Sequence, residues 1–272
     1  MGGVLSHTIT GSCLTGKGVR ASHTQSYARP YITMEHSGSL PPFNPAEPGT
    51  SEEKWLRLLD GAEEWTPRPG PLVVVAPHPD DEVLGAGGLI QSWVATGQLV
   101  TILSVTDGEA SDPGRPGLDL VRRKELRDAL RILTPGHVKI ERLGIPDGKV
   151  CEHANRLRRV LEEYATANAT LIAPYERDGH PDHDLVGRVC AEVARAAGVA
   201  VARYPVWTWH HTDPLAVQSL RWGKYSLTAA ARRAKARALE CFESQLRPPS
   251  GIPVVPQHVL RYFRRPYESF IL

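Results

Sequence analysis

From residue 72 onward, short apolar runs alternate with stretches of helical period. The runs cover 72–77, 99–105, 138–143, 169–174 and 199–204 and are rich in Val, Ile and Leu. Short, continuous apolar runs of this kind are expected of strands buried on both faces. Between them the 3.6-residue period predicts helices at about 82–96, 119–133, 152–167 and 183–197. A β-α-β-α order predicts the α/β class, with an open, mostly parallel sheet and helices on both faces. A further helix is expected over 228–246 and a short amphipathic one over 51–60, with Ser51 as its cap. Residues 1–50 are rich in Gly, Ser, Thr and Pro without a sustained period, and predict an irregular N-terminal arm. Residues 51–272 then form a single α/β domain, with a motif-bearing core at 72–246. Its tail at 248–272 carries Tyr262, Phe263, Tyr267 and Phe270 and is expected to pack back as an edge or a lid.

Composition narrows the picture by exclusion. The 272 residues can bury a sizeable core, and the chain is 41% hydrophobic and 23% charged, as ordinary globular proteins are. Its 32 basic and 30 acidic residues leave a net charge of +2, which gives no electrostatic case for nucleic acid. Cys13, Cys151, Cys190 and Cys241 show no C-x-x-C spacing, so reduced thiols are expected and a Cys-rich zinc site is excluded. No apolar stretch approaches the roughly 18 residues that span a bilayer. The expectation is a cytoplasmic protein without stable membrane insertion; nothing in the pattern speaks to oligomeric state.

In an open parallel sheet, ligands sit outside the carboxyl ends of the strands. The first expected strand is followed by His78-Pro79-Asp80-Asp81-Glu82, the second by Thr106-Asp107-Gly108-Glu109, and the third by Gly144-Ile145-Pro146-Asp147-Gly148. The fourth is followed by Tyr175 to Asp184, which contains Gly179-His180-Pro181-Asp182-His183. His78 and Asp81 stand three apart on a strand-to-helix turn, a spacing that brings them to one side. An imidazole and a carboxylate suit a borderline-soft ion such as zinc. His180 and His183 repeat the spacing, and one of them would complete a His-Asp-His set. Three protein ligands leave a position open, as catalytic sites do. Asp80, beside Asp81, is then placed to take a proton from water activated by the ion, and the remaining histidine to stabilise an oxyanion or protonate a leaving group. Either motif alone is an ordinary solvated turn; their joint occurrence at strand ends points to hydrolysis through a tetrahedral intermediate. Gly85-Ala86-Gly87-Gly88 lacks the G-x-G-x-x-G spacing and follows acids that would repel a pyrophosphate. Those glycines are expected to let a helix approach the sheet closely.

Five motifs occur in order: PHPDDE at 77–82, Arg122-Arg123-Lys124-Glu125-Leu126, LGIPDG at 143–148, HPDH at 180–183, and KARALECFESQ at 235–245. In this the chain resembles the zinc-dependent N-deacetylases typified by the enzyme acting on N-acetylglucosaminyl-phosphatidylinositol, with relatives in thiol-cofactor and antibiotic biosynthesis. The resemblance covers about 72–246 and implies a Rossmann-like, LmbE-like sheet and one Zn²⁺ per chain. It implies that His78, Asp81 and His183 bind the ion, that Asp80 is the general base and that His180 assists the tetrahedral intermediate. Asp182 would orient a neighbouring imidazole. Arg122 or Arg123, together with Asp147, would hold sugar hydroxyls; the plain alternatives are a surface ion pair with Glu125 and a Pro-Asp-Gly turn.

Trp207 and Trp209 follow the fifth expected strand, and alternation places both on one side of an extended segment. There they would face a sugar or pack under the last helix. His210 or His211 is a further possible contact. The arm and these aromatic residues resemble the antibiotic branch, whose members deacetylate the N-acetylglucosaminyl pseudoaglycone of lipoglycopeptides such as teicoplanin. The partner expected is therefore a small glycoconjugate substrate. The alternatives are a deacetylase of another small N-acetylglucosaminide, a metal-dependent phosphoesterase, and a sugar binder without turnover, which the intact ligand and base set disfavours.

Overall fold

The apolar runs fold as adjacent strands of one sheet. The computed structural model describes residues 44–272 apart from 113 and 135–137. Most of the expected arm, with Cys13 and Met34, therefore lies outside the described residues. The chain first forms α1 (Glu52–Asp60), β1 (Glu63–Glu64), β2 (Leu72–Ala76), α2 (Asp81–Ala95), β3 (Val100–Ser104) and α3 (Leu118–Leu133). It continues through β4 (Val138–Arg142), α4 (Ala154–Tyr164), β5 (Thr170–Pro174), α5 (Pro181–Ala197) and β6 (Ala200–Tyr204). It ends with α6 (Thr208–His211), β7 (Trp222–Ser226), α7 (Ala229–Leu239), α8 (Glu243–Leu246), α9 (Gln257–Leu260) and β8 (Tyr267–Ile271).

The eight strands lie in the order β1-β7-β8-β6-β5-β2-β3-β4, parallel except where β8 pairs with β6 and β7. Strand β2 is buried along its whole length, with Val74 level with Ile102 of β3 and Ile172 of β5. Alternation divides its side chains between two layers. Leu72 and Val74 join Leu89 of α2, Leu126 of α3 and Leu239 of α7 on one face. Val73 and Val75 join Leu157 and Leu161 of α4 and Val186 and Val193 of α5 on the other. Each such side chain contributes about 1.5–3 kcal/mol by leaving water. The chain moves from β2 to β3 and β4 on one side and to β5 and β6 on the other. The crevice therefore opens between the carboxyl ends of β2 and β5.

Three expectations change. The end of the aromatic tail is not an edge: β8 enters the sheet between β6 and β7, with Phe270 fully buried. Its antiparallel direction needs no crossover helix, so the β-α-β rhythm carried no signal for it. The single helix expected over 228–246 is two, because Phe242 turns into the core and the backbone N–H and hydroxyl of Ser244 donate to Glu125. These contacts outweigh the helical propensity of the segment. The Trp207–Trp209 segment is not extended, since α6 begins at Thr208. The glycines of GAGG do serve close packing: a Cβ on Gly85 would lie 2.3 Å from the Tyr204 ring of β6.

Candidate active site

The turn after β2 and the loop after β5 meet at the crevice. His78 Nδ1, Asp81 Oδ2 and His183 Nε2 converge, with His78–His183 at 3.2 Å, His183–Asp81 at 3.2 Å and His78–Asp81 at 3.3 Å. Ligand atoms held by one tetrahedral ion at zinc bond lengths stand about 3.3 Å apart, so this donor set fits such an ion in chemistry and in spacing. A second group, His78, His180 and Asp182, also converges. Its atoms are otherwise engaged: Asp182 accepts from the Gly148 and Val150 N–H groups, and His180 Nδ1 accepts from the Asp182 N–H. We therefore read the second group as support for the first.

Each ligand is held from behind. His78 Nε2 faces Asp147 at 3.1 Å and Asp182 at 3.4 Å. His183 Nδ1 lies 2.8 Å from Asp178, a fully buried carboxylate that also accepts from the N–H groups of Val206, Trp207 and Thr208 and from the Thr208 hydroxyl. Such supporting carboxylates fix an imidazole's tautomer and raise its basicity. The 178–183 loop carries two acids, and spacing alone does not say which one stands behind His183. Asp178 was the one that sequence reasoning left without a role.

Asp80 occupies a conformation that side chains avoid, with φ 138° and ψ −30°. Arg122, buried on α3, braces it: one Nη donates to the Pro79 carbonyl at 2.7 Å and stands 3.4 Å from Asp80 Oδ1, and the other donates to the Gly108 carbonyl. Gly108 has φ +67°, and a Cβ there would sit 2.0 Å from the guanidinium, so only glycine fits. Burial pushes the Asp80 carboxyl up to about 7, with Arg122 opposing and the Asp81 charge reinforcing the shift. Burial would raise Asp81 too, but His183 and His78 hold it well below the usual carboxylate range. Burial lowers His183, yet Asp81 and Asp178 outweigh it and carry the imidazole to about 10. Burial and the neighbouring imidazoles depress His180. With its Nδ1 accepting from the Asp182 N–H, neutral His180 carries its proton on Nε2.

Asp80, Asp81, His78, Arg122 and His180 line a cavity of about 130 Å³ together with Leu84, Ser111, Asp147, Val206, Trp207, Gln245, Val254 and Val255, while His183 lies behind its wall, fully buried. Pockets that enclose whole drug-sized ligands run about 300–1,000 Å³, so only the reacting end of a larger substrate fits inside. Of the predicted site residues, the cavity takes His78, Asp80, Asp81, Arg122, Asp147, His180 and Trp207. Arg123 lies elsewhere: it pairs with Asp107 and Asp119, while Glu125 is occupied by Ser244. Trp209 takes the packing alternative: the turn of α6 sends it into the core against Trp55 and Trp222, with ring centroids 4.8 and 5.5 Å away. His211 Nε2 meets the Asp178 carbonyl and His210 Nε2 the Asn44 carbonyl. Gln245 closes the KARALECFESQ motif, to which the sequence assigned no role at the site, and Val254 and Val255 come from the Pro-rich stretch after it, where no motif falls.

Residues 73–194 match the family described as GlcNAc-PI de-N-acetylase. A Bacillus cereus protein named "Probable N-acetyl-alpha-D-glucosaminyl L-malate deacetylase 2" is 30% identical over 147 residues, 49% of this chain and 62% of that protein. The chain spans about three-fifths of the length of the curated relatives it matches. Among solved structures, a conserved protein from Thermus thermophilus superposes with a TM-score of 0.55 at 28% identity, over 74% of this chain and 93% of that one. The A40926 pseudoaglycone deacetylase Dbv21 gives a TM-score of 0.55 at 19% identity, over 75% of this chain and 96% of that one, a likeness of fold. The ligand cluster and the strands that carry it, β2 and β5, lie inside or at the edge of the matched segment, so over residues 73–194 the chain resembles the GlcNAc-PI de-N-acetylase (PIG-L) family in the part that builds the site.

Proposed function

We propose that the chain is a zinc-dependent hydrolase that removes the acetyl group from an N-acetylglucosaminyl conjugate. The observation that carries this reading is the convergence of His78, Asp81 and His183 beside Asp80 in a cavity sized for an acetamido group. The family description and the relative's name point to the same bond. A divalent ion held by the three ligands would polarise the amide carbonyl and activate water. Asp80 is placed to receive the proton of the attacking water and to pass it on to the leaving amine. Neutral His180 offers its Nε2–H to the developing oxyanion. Arg122 holds Asp80 in place, and Asp147 holds His78. Leu84, Val206, Val254 and Val255 give the acetyl methyl an apolar wall.

The substrate we favour is the N-acetylglucosaminyl pseudoaglycone of a lipoglycopeptide. The Trp207 ring at the cavity supports it, since aromatic faces stack on sugars and large apolar ligands. The reading includes one ion per chain, residues 51–272 working as one domain, and a cytoplasmic setting. Among the described residues no helix is long and apolar enough to cross a membrane. Mass spectrometry of a glycopeptide pseudoaglycone after incubation should show loss of acetyl, abolished by a chelator and restored by Zn²⁺. Activity on a small glucosaminide alone would move the substrate to another branch. Phosphoester cleavage with two ions per chain would overturn the reaction class.

A further inference from the structure

Helix α2 is broken at Ala86, whose φ of −141° and ψ of 15° are not helical. In an unbroken helix the Gly88 N–H would donate to the Leu84 carbonyl four residues back. Here two side chains from distant elements are spliced into that bond. Lys235 Nζ, from α7, donates to the Leu84 carbonyl at 2.7 Å and to Glu268 Oε1 at 2.6 Å. Glu268, from β8, accepts the Gly88 N–H at 2.7 Å through the same oxygen and the Leu89 N–H at 2.8 Å through the other. Lys235 and Glu268 are 3% and 4% exposed, so the pair sits within the core. A lysine and a glutamate buried only to satisfy each other would be replaceable by apolar residues at little cost. These two instead complete three main-chain groups that the kink leaves open.

The kink separates two jobs. After it, α2 packs on the sheet through Leu89, Ile90 and Trp93. Before it stand Asp81 and Leu84, both at the cavity, with Asp80 at the helix entrance. We propose that Lys235 and Glu268 are positioning residues: the ion pair wedges α2 open at Ala86 and so sets the placement of Asp80, Asp81 and Leu84. Without the wedge, the Leu84 carbonyl and Gly88 N–H are free to close on each other, which straightens the helix and draws its first turn off the ligand triangle. The inference rests on the reading of the site above for its functional consequence, and on the hydrogen bonds alone for its structural part.

The test compares the wild-type chain with Lys235→Met/Glu268→Gln and with Glu268→Asp, which retracts the carboxylate by one methylene. Three quantities are read: zinc affinity by chelator competition, kcat and KM for deacetylation, and amide exchange and shifts at residues 80–89. The expected result in the folded double variant is zinc affinity lower on the order of tenfold and kcat lower with KM unchanged. A folded double variant with zinc affinity and kcat within about twofold of wild type overturns the proposal, since a purely structural pair would behave that way. Should the double variant not fold, Glu268→Asp decides: Gly88 and Leu89 should exchange faster and zinc affinity should fall. Faster exchange with unchanged zinc affinity, or exchange left unchanged, overturns the inference. Wild-type protein that takes up no zinc overturns the reading of the site instead. The amides of Asp80 to Leu84 then decide the wedge, and unmoved shifts there in Glu268→Asp overturn it.

Discussion

The parallel centre of the sheet and its antiparallel end bury polar groups in opposite ways. At the crevice between β2 and β5, acids and three imidazoles crowd around one cavity, and Asp80 is held in a costly backbone conformation. At the antiparallel end, Trp55, Trp209 and Trp222 pack edge and face, and two of their indole N–H groups find main-chain partners: Trp55 Nε1 donates to the Trp209 carbonyl and Trp222 Nε1 to the Val217 carbonyl. Arg265 stacks on Trp209 while pairing with Glu52 of α1. One region keeps charge where chemistry needs it; the other closes its polar valences to hold the sheet. Asp178 joins the two, with His183 on one side and the backbone leading into α6 on the other. Strain concentrated in the first region is what stored function looks like.

The contrast breaks most sharply at Asp80. Asp80→Asn keeps the shape and removes the base, so deacetylation should fall by about 10²–10⁴-fold while zinc content stays at wild-type level. Full activity in folded, metal-loaded Asp80→Asn would end the assignment of the base. The mirror-image variant is Trp209→Ala. It empties a core position 3% exposed and should cost about 3–5 kcal/mol in urea unfolding, with kcat of the folded fraction unchanged. A large loss of kcat without destabilisation would return Trp209 to the substrate site.

Asp178→Asn probes the joint between the two regions. An amide has one accepting oxygen where five donors converge, and it cannot hold a positive imidazole. Zinc affinity should fall about 10–100-fold, and the chain should also lose stability, which Asp80→Asn does not share. Weakened zinc binding without any fall in midpoint would mean that α6 does not depend on Asp178.

How much of this the sequence reveals differs between the two regions for a physical reason. β2, β3 and β5 are buried almost throughout and leave continuous apolar runs, and β2 to β6, including the more exposed β4 and β6, lie within a residue or so of their expected bounds. Ligand loops fall at strand ends by topology, so His78, Asp81 and the 180–183 loop are legible once the strands are. Support groups are less so. Asp178 acts through atoms that meet only after folding, and Lys235 and Glu268 are 33 residues apart in the chain. The antiparallel end is the least legible. β7 and β8 pair across a tail rich in Pro and aromatic residues, and the turn that buries Trp209 is set by Asp178 capturing three N–H groups, which no local period announces.

The smallest effect sharpens the comparison through protons. In the metal-free protein His183 is carried to about 10 by Asp81 and Asp178, against the pull of burial. At neutral pH it therefore holds a proton that an incoming ion must displace, because only neutral imidazole ligates. Burial lowers His78 as well, but Asp147, Asp182 and Asp81 outweigh it and hold that imidazole above its ordinary value, so two protons are displaced. Zinc affinity therefore falls as pH falls, by about tenfold per pH unit for each proton. Chelator competition at pH 6, 7 and 8 reads this slope, and calorimetry in buffers of different ionisation enthalpy counts the protons released. Asp178→Asn, which no longer holds the His183 proton, should flatten the slope at the alkaline end. Trp209→Ala, within α6 itself but working only through packing, should leave it as in wild type. A slope altered equally by both variants would mean that the two regions are one cooperative unit and that the division drawn between them is wrong.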